Sequence, residues 1–312
     1  MPRAICDDAS IFYEYDEDAS DESRSGSIDV EEPIVFVQDL GYGRWMWRWQ
    51  REAVSGDVIA PDTRGTGRSG AGLPPIVPRL PRRLRTPLLS GVASYSVAGL
   101  AADLEAVLED AGVRRAHLVG AGLGGMIVQQ HAIEYSRAKT LTLCGTSHGG
   151  TDAVAMSEET RSTLLERPSG ANEREGLRHR MRPAFSERFT NRNPHLMDRI
   201  VEWRREQDAG APALEAQIAA IDTFDGRDRL DRIRAPTLVI HGTDDRIVPS
   251  GNARLLEEAI PNARLELVEG GSHCCFIESA DRVNELLGTF LEDSSEPGGE
   301  TPDFRAGRVG GE

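Results

Sequence analysis

The chain has 312 residues, of which 39% are hydrophobic, and 51 acidic against 36 basic side chains give it a formal charge of −15. The hydrophobic fraction is enough for a folded core and excludes wholesale disorder, and no apolar run reaches the roughly 18–20 residues that span a bilayer. An acidic chain also lacks the clustered cations that phosphate binding requires, so we expect neither a nucleic-acid nor a membrane partner.

Cysteine usage and the first residues favour a reducing, cytoplasmic location. Residues 1–10 lack the apolar segment of a secretory signal. The four cysteines (Cys6, Cys144, Cys274 and Cys275) show neither disulfide nor metal-ligand spacing. We therefore expect no metal and no cofactor, and a small molecule as the substrate or ligand, while homo-oligomer formation stays open.

The negative charge is unevenly distributed along the chain. Lys139 is the only lysine, and arginine with excess carboxylate is typical of proteins from halophiles, although a GC-rich genome has the same effect on lysine. Residues 1–32 carry a net −9 and residues 292–312 a net −4, so residues 33–291 are close to −2. We therefore expect a nearly balanced body with acidic extensions, which weakens the halophile interpretation.

Short apolar runs between turn residues predict strands of a parallel sheet that is buried on both faces. Segments of helical period alternate with these runs, and this alternation predicts a doubly wound α/β core. The strands are predicted at 34–37, 58–59, 116–119, 141–143, 237–240 and 265–268, and the helices at 97–111, 125–138, 252–260 and 281–291.

Other segments interrupt this repeat. Alternation over residues 4–15 predicts an antiparallel lead-in strand, and residues 16–32 form an acidic, low-complexity loop. The insertion at 72–91 holds five prolines and four arginines; it is either a surface loop paired with acids elsewhere or a docking strip for an anionic partner. The predicted division is a core of residues 1–145 and 231–292, a helical insert of residues 146–230 with three or four short helices that acts as a lid, and a disordered tail of residues 293–312.

Several segments, in chain order, resemble the α/β-hydrolase superfamily, in particular its lid-containing esterase, lactonase and haloperoxidase-like branch. PIVFVQDLGYGRWMW (33–47) resembles the strand and loop of the oxyanion hole, and DVIAPDTRGTGRS (57–69) the DxRGxGxS turn. AHLVGAGLGGMIVQQHA (116–132) resembles the nucleophile elbow, while LVIHGTDDRIVP (238–249) and GGSHCCFIES (270–279) resemble the acid and histidine segments. The resemblance covers nearly the whole chain and implies a mostly parallel sheet and descent from ester or lactone hydrolases.

The elbow departs from the family pattern at the nucleophile. In the family motif G-x-S-x-G, a sharp and strained turn exposes a serine hydroxyl. This chain reads GAGLG at 120–124, so Gly122 stands at the nucleophile position. Residues 117–130 contain no Ser, Cys, Thr, Asp or Glu. The resemblance therefore predicts that acyl transfer through an elbow serine does not occur.

The acid and the histidine of the family mechanism are retained. The pattern G-x-x-D-x-x-V-P places the acid at Asp245, with Asp244 solvated, and His273 lies on the loop after the last predicted strand. Such a pair orients the imidazole and stabilises the imidazolium. An inherited hydrogen bond that only ties two loops together is an equally weighted interpretation.

The oxyanion segment departs as well, because Gln38-Asp39 stands where the family usually has His-Gly. The resemblance places the two oxyanion donors at the backbone N–H groups of Leu40 and Leu123. A carboxylate within about 5 Å of a developing oxyanion is repulsive by about 3 kcal/mol at an effective dielectric near 20. The usual esterase mechanism is thus expected to be disabled, with Gln38, Asp39 and Trp45 as candidate pocket residues.

Three functions are compatible with this pattern. In the first, the missing side chain leaves space for a water beside His273, and the histidine acts as general base for hydrolysis or elimination on a small carbonyl compound. In the second, the protein binds a small molecule or a partner without catalysis. In the third, an ordinary hydrolase has lost its serine; the change at residues 38–39 argues against a single loss.

Overall fold

The computed structural model describes residues 2–6, 8–17, 28–74, 76–81, 83–84, 89, 95–165 and 170–294. Its strands are β1 Arg3–Cys6, β2 Ala9–Asp16, β3 Ile34–Val37, β4 Val58–Pro61, β5 Ala116–Ala121, β6 Ala138–Cys144, β7 Thr237–Gly242 and β8 Ala263–Val268. They form one sheet in the order β1-β2-β4-β3-β5-β6-β7-β8. The first two pairs are antiparallel and the following pairs are parallel. This confirms the predicted lead-in and the predicted mostly parallel sheet.

Helices cover the sheet and fill the segment between β6 and β7. They are α1 Arg48–Ala53, α2 Val97–Asp110, α3 Leu123–Glu134, α4 Glu158–Leu165, α5 Glu173–Met181, α6 Glu187–Arg192, α7 Pro194–Gln207, α8 Ala211–Thr223, α9 Gly251–Ala259, α10 Cys275–Glu278 and α11 Ala280–Asp293. The prediction of a helix at 125–138 was wrong at its end, because Tyr135 is extended and Ala138 already begins β6.

Strand β3 shows why its apolar run is continuous. Ile34 and Phe36 pack into one apolar layer, whereas Val35 and Val37 pack into the layer on the opposite face of the sheet. Successive side chains of a strand point to opposite faces, so both faces must be covered for all four to be buried. The carboxyl ends of β3, β5, β7 and β8 lead into loops at one edge of the sheet.

Three predicted features fall partly outside the described residues. Of the acidic loop at 16–32, the described end returns to the core at Ile28, which is buried and bridges to Val54. Of the insertion at 72–91, Val77 and Leu89 are buried in a small cluster with Ala216 of α8. The predicted tail at 293–312 lies outside the described residues except for its first two. No described helix is both long and apolar enough to cross a membrane.

Candidate active site

Asp245 and His273 meet at the carboxyl end of the sheet. Asp245 lies in the loop after β7 and His273 in the loop after β8, and Nδ1 of His273 is 2.8 Å from Oδ2 of Asp245. The backbone N–H groups of Ile247 and Val248 both donate to Oδ1 of Asp245 at 2.9 Å. These bonds hold the carboxylate in one orientation, and the carboxylate in turn fixes the imidazole ring. Asp244, by contrast, is exposed, as predicted.

A second histidine contributes to this pair and was not identified from the sequence. Nε2 of the buried His241 donates to the carbonyl oxygen of Val248 at 2.7 Å and lies 3.2 Å from Oδ2 of Asp245. Burial raises the pKa of Asp245, but the imidazoles of His273 and His241 outweigh burial and hold that pKa well below its usual value. The sequence signal for this role was His241 itself, a lone histidine in the apolar strand that precedes Asp245.

The elbow between β5 and α3 is a sharp turn at Gly122. This residue has φ +48° and ψ −115°, a conformation that side chains disfavour. The backbone of Val37 lies so close to Gly124 that there is no space for a side chain at this residue. A β-carbon on Gly124 would lie 2.2 Å from the carbonyl oxygen of Val37. The elbow therefore packs directly on the end of β3 and on the loop that follows it.

The carboxylate of Asp39 occupies the side-chain space of residue 122. A β-carbon on Gly122 would lie 1.7 Å from Oδ1 of Asp39 and 2.2 Å from its Cγ. Oδ1 accepts the backbone N–H of Leu123 at 2.8 Å, and Oδ2 lies 3.0 Å from Nε2 of His273. The expectation of a water beside His273 is thus corrected: a carboxylate fills that space and also takes up the Leu123 donor.

His273 is therefore placed between two carboxylates, with only 2% of the residue exposed. Burial disfavours its imidazolium, yet the charges and hydrogen bonds of Asp245 and Asp39 outweigh burial and raise the pKa of His273 to about 10. The raised pKa favours the imidazolium form of His273 at neutral pH, and an imidazolium is a proton donor.

The loop after β3 holds Asp39 rigidly. Its backbone N–H contacts Sδ of Met46 at 3.2 Å, and its carbonyl oxygen accepts the N–H of Tyr42 at 3.0 Å. Leu40 follows it and is half-buried. Gln38 is buried, and its Nε2 points to Oγ1 of Thr66 at 3.4 Å, in the turn after β4.

The helical insert contacts two of the loops that carry the site. Oδ1 of Asp208 accepts the backbone N–H of Gly43 at 3.2 Å and Nε1 of Trp45 at 3.1 Å, and Trp45 stacks on Trp203 of α7 with ring centroids 6.0 Å apart. The loop of His273 is held at Ala184, whose carbonyl oxygen accepts the N–H of the following residue, Cys274, at 3.0 Å. Trp45 thus packs under the insert.

Comparison with known proteins reveals a family relationship. The model of the alpha/beta hydrolase family matches residues 34–286. A protein of Azorhizobium caulinodans named "Putative carbamate hydrolase RutD" is 30% identical over 92% of this chain and 97% of its own length. A protein of Pseudomonas savastanoi with the same name is 30% identical over 83% of this chain and 93% of its own length.

Solved structures share the fold. The enol-lactonase from Burkholderia xenovorans has a TM-score of 0.71 at 24% identity and covers 93% of this chain and 100% of its own. Est816, described as an N-acyl homoserine lactone degrading enzyme, has a TM-score of 0.70 at 24% identity with the same coverage. The chain therefore shares its overall fold with these structures.

Proposed function

This chain belongs to the alpha/beta hydrolase family, and from that premise we propose that it hydrolyses a small carbonyl compound without a serine on the elbow. The observation that carries the proposal is the position of the Asp39 carboxylate. It lies in the side-chain space of residue 122 and 3.0 Å from the histidine of a retained His–Asp pair. Gly122 then stands where the family has its nucleophile, and the reactive carboxylate comes from another loop.

The substrate class follows from the relatives. Their names refer to carbamates, enol-lactones and N-acyl homoserine lactones, all of which carry a carbonyl carbon that water attacks during hydrolysis. Asp39 and His273 are only 7% and 2% exposed, so in this proposal the insert moves away from the loop after β3 to admit a substrate. In this proposal the insert acts as a lid.

The side chains have distinct roles in this proposal. The imidazolium of His273 donates the proton that the leaving alcohol or amine needs, and Asp245 keeps the ring oriented. Asp39 supplies the carboxylate on the side from which the carbonyl carbon is attacked. The reaction adds one water across the bond that breaks, so it requires no cofactor.

A second candidate function is supported by a specific observation. The Leu123 donor and both ring nitrogens of His273 are already paired within the protein. A site whose polar atoms satisfy one another is also what a non-catalytic, ligand-binding relative of these hydrolases would contain. The two candidates differ in whether bound ligand is converted.

Turnover of p-nitrophenyl acetate, γ-butyrolactone and ethyl carbamate tests the proposal. We expect Asp39→Asn to lower kcat/KM by roughly 100-fold or more with all three compounds, and His273→Gln to do so with the lactone and the carbamate, whose leaving groups need a proton. Asp244→Asn, which alters the exposed neighbouring carboxylate, serves as the control and should retain activity. Saturable thermal stabilisation by these compounds without turnover would support the binding function instead.

A further inference from the structure

We propose that Asp39 is the covalent nucleophile of this reaction, supplied by the loop after β3 in place of a residue on the elbow. This inference rests on the proposed function and specifies its chemistry. Carboxylates of aspartate serve as nucleophiles when a histidine stands within hydrogen-bond reach and is itself oriented by a third group. Asp39, His273 and Asp245 form such a chain, with separations of 3.0 and 2.8 Å.

The two oxygens of Asp39 have separate partners. Oδ2 faces Nε2 of His273, which is the relation that a nucleophile has to its histidine. Oδ1 accepts the N–H of Leu123, the first residue of the twelve-residue helix α3, where the helix dipole favours negative charge. Oδ2 thus faces the histidine and is the attacking oxygen in this proposal, while Oδ1 is held by a donor that stabilises charge.

Residues 39 and 122 are sterically coupled. A β-carbon at residue 122 and the observed Asp39 carboxylate exclude each other, since they would be separated by only 1.7 Å. If the elbow nucleophile and the His-Gly pattern at residues 38–39 had been lost independently, a carboxylate would not be expected in the space that the elbow leaves open. An exchange of the reactive side chain between two loops accounts for both departures from the family pattern at once.

In the first step, Oδ2 of Asp39 forms a bond to the carbonyl carbon of the substrate ester. The bond between that carbon and the leaving oxygen breaks, and the leaving oxygen takes the Nε2 proton of His273. The products are an alcohol, a mixed anhydride on Asp39 and a neutral imidazole. Acylation also removes the charge of Asp39, so the imidazole has lost one of the two anions that favoured its protonation.

In the second step, neutral His273 takes one proton from a water whose oxygen attacks Cγ of Asp39. The negative charge develops on Oδ1, which the N–H of Leu123 already contacts, so this donor stabilises the intermediate. The bond between Cγ and Oδ2 then breaks. The product acid leaves with Oδ2 and the second water proton, while Asp39 retains the water oxygen and His273 is again an imidazolium.

His273→Gln with p-nitrophenyl acetate tests the covalent step. The nitrophenolate group leaves without a proton donor, whereas deacylation lacks its base, so we expect release of one equivalent per chain followed by arrest. The peptide that contains Asp39 should carry one acetyl group, which hydroxylamine removes. The double variant Asp39→Asn/His273→Gln should release none, and circular dichroism checks that both variants fold.

The wild-type enzyme provides a second readout. Turnover in water labelled with heavy oxygen should transfer label into the Asp39 peptide, whereas Asp244→Asn should label Asp39 as the wild type does. Wild-type turnover with neither acetyl adduct nor label would overturn the nucleophile assignment and leave the proposed function standing. An adduct without turnover would support the nucleophile and contradict the proposed function, and absence of both adduct and turnover would overturn both.

Discussion

At the scale of single residues, positions 39 and 122 act as a pair. The backbone of Gly122 has φ +48°, and the space beyond its α-carbon is filled by Asp39. A family serine tolerates the strained elbow because the turn is held by its surroundings. Here the same turn is kept, but only one of the two positions has room for a side chain. The effect of a substitution at residue 122 on stability therefore depends on which side chain stands at residue 39, and the reverse also holds.

We predict that Gly122→Ser lowers the free energy of unfolding by about 2–4 kcal/mol, through overpacking against Asp39 and backbone strain. The double variant Asp39→Gly/Gly122→Ser removes the collision and places a hydroxyl beside His273. It should recover most of the stability and show a burst with p-nitrophenyl acetate from an acyl-serine. Urea denaturation of both single variants and the double variant measures the coupling energy.

The matched control for this cycle is Asp39→Gly alone, which should be folded and show no burst. Additive effects of the two substitutions on stability would contradict the steric coupling, since residues that collide must show a large interaction energy. A stable Gly122→Ser variant would contradict it as well.

The sequence located Gly122, Asp245 and His273 through spacing, but it could not reveal what Asp39 contacts. The carboxylate reaches the elbow because β3 and β5 pair with Val37 beside Gly120, a register that depends on the whole sheet. The local pattern therefore indicated only repulsion at an oxyanion hole. The two departures from the family pattern have to be considered together to indicate this contact. Residue 122 loses its side chain, and residue 39 gains one.

At the scale of elements, the end of α7 anchors the loop after β3. Asp208 accepts two hydrogen bonds from that loop and pairs with Arg204, whose Nε is 2.6 Å from its Oδ2. The two side chains are only 10% and 12% exposed, so this pair is screened from solvent. Asp198 lies on the same helix but pairs with Arg174 and Arg178 at the surface, with 45% of its side chain exposed.

We predict that Asp208→Ala lowers the free energy of unfolding by about 3 kcal/mol, because it leaves a buried arginine without its partner. Asp198→Ala should cost less than about 1 kcal/mol, as expected for an exposed ion pair. Chemical denaturation of both variants gives the comparison. Equal costs would show that α7 is not anchored to the site through Asp208.

Secondary-structure elements were predicted well where burial determines the sequence pattern. They were predicted less well where helix caps determine where one helix ends and the next begins. Strands β3 and β4 form continuous apolar runs because both faces of the sheet are covered there. In the insert, three or four helices were expected and five are described. Pro194 is the first residue of α7, where its missing N–H is tolerated, so only Asn193 separates α6 from α7.

At the scale of the whole molecule, buried groups that hold protons make the fold sensitive to alkaline pH. Burial raises the pKa values of Cys274 and Cys275, and that of Cys144 to about 12. The unfolded thiols ionise near pH 8.5, so the native state retains more protons above that pH and stability falls. His117 acts in the opposite direction at lower pH, because burial lowers its pKa to about 4.

His273 affects stability at pH values between the range in which His117 titrates and the range in which the thiols ionise. Its pKa is raised from 6.5 to about 10, so its stabilising contribution is complete below pH 6.5 and is lost as the pH rises towards 10. Between pH 6.5 and 8.5, before the thiols of the unfolded chain ionise, we predict a loss of about 2 kcal/mol in the free energy of unfolding. Asp39→Asn removes one of the two carboxylates that stabilise the imidazolium, so its loss over this interval should be smaller. Denaturation at several pH values in both proteins measures the two slopes, and equal slopes would mean that Asp39 does not hold the proton of His273 in the folded protein.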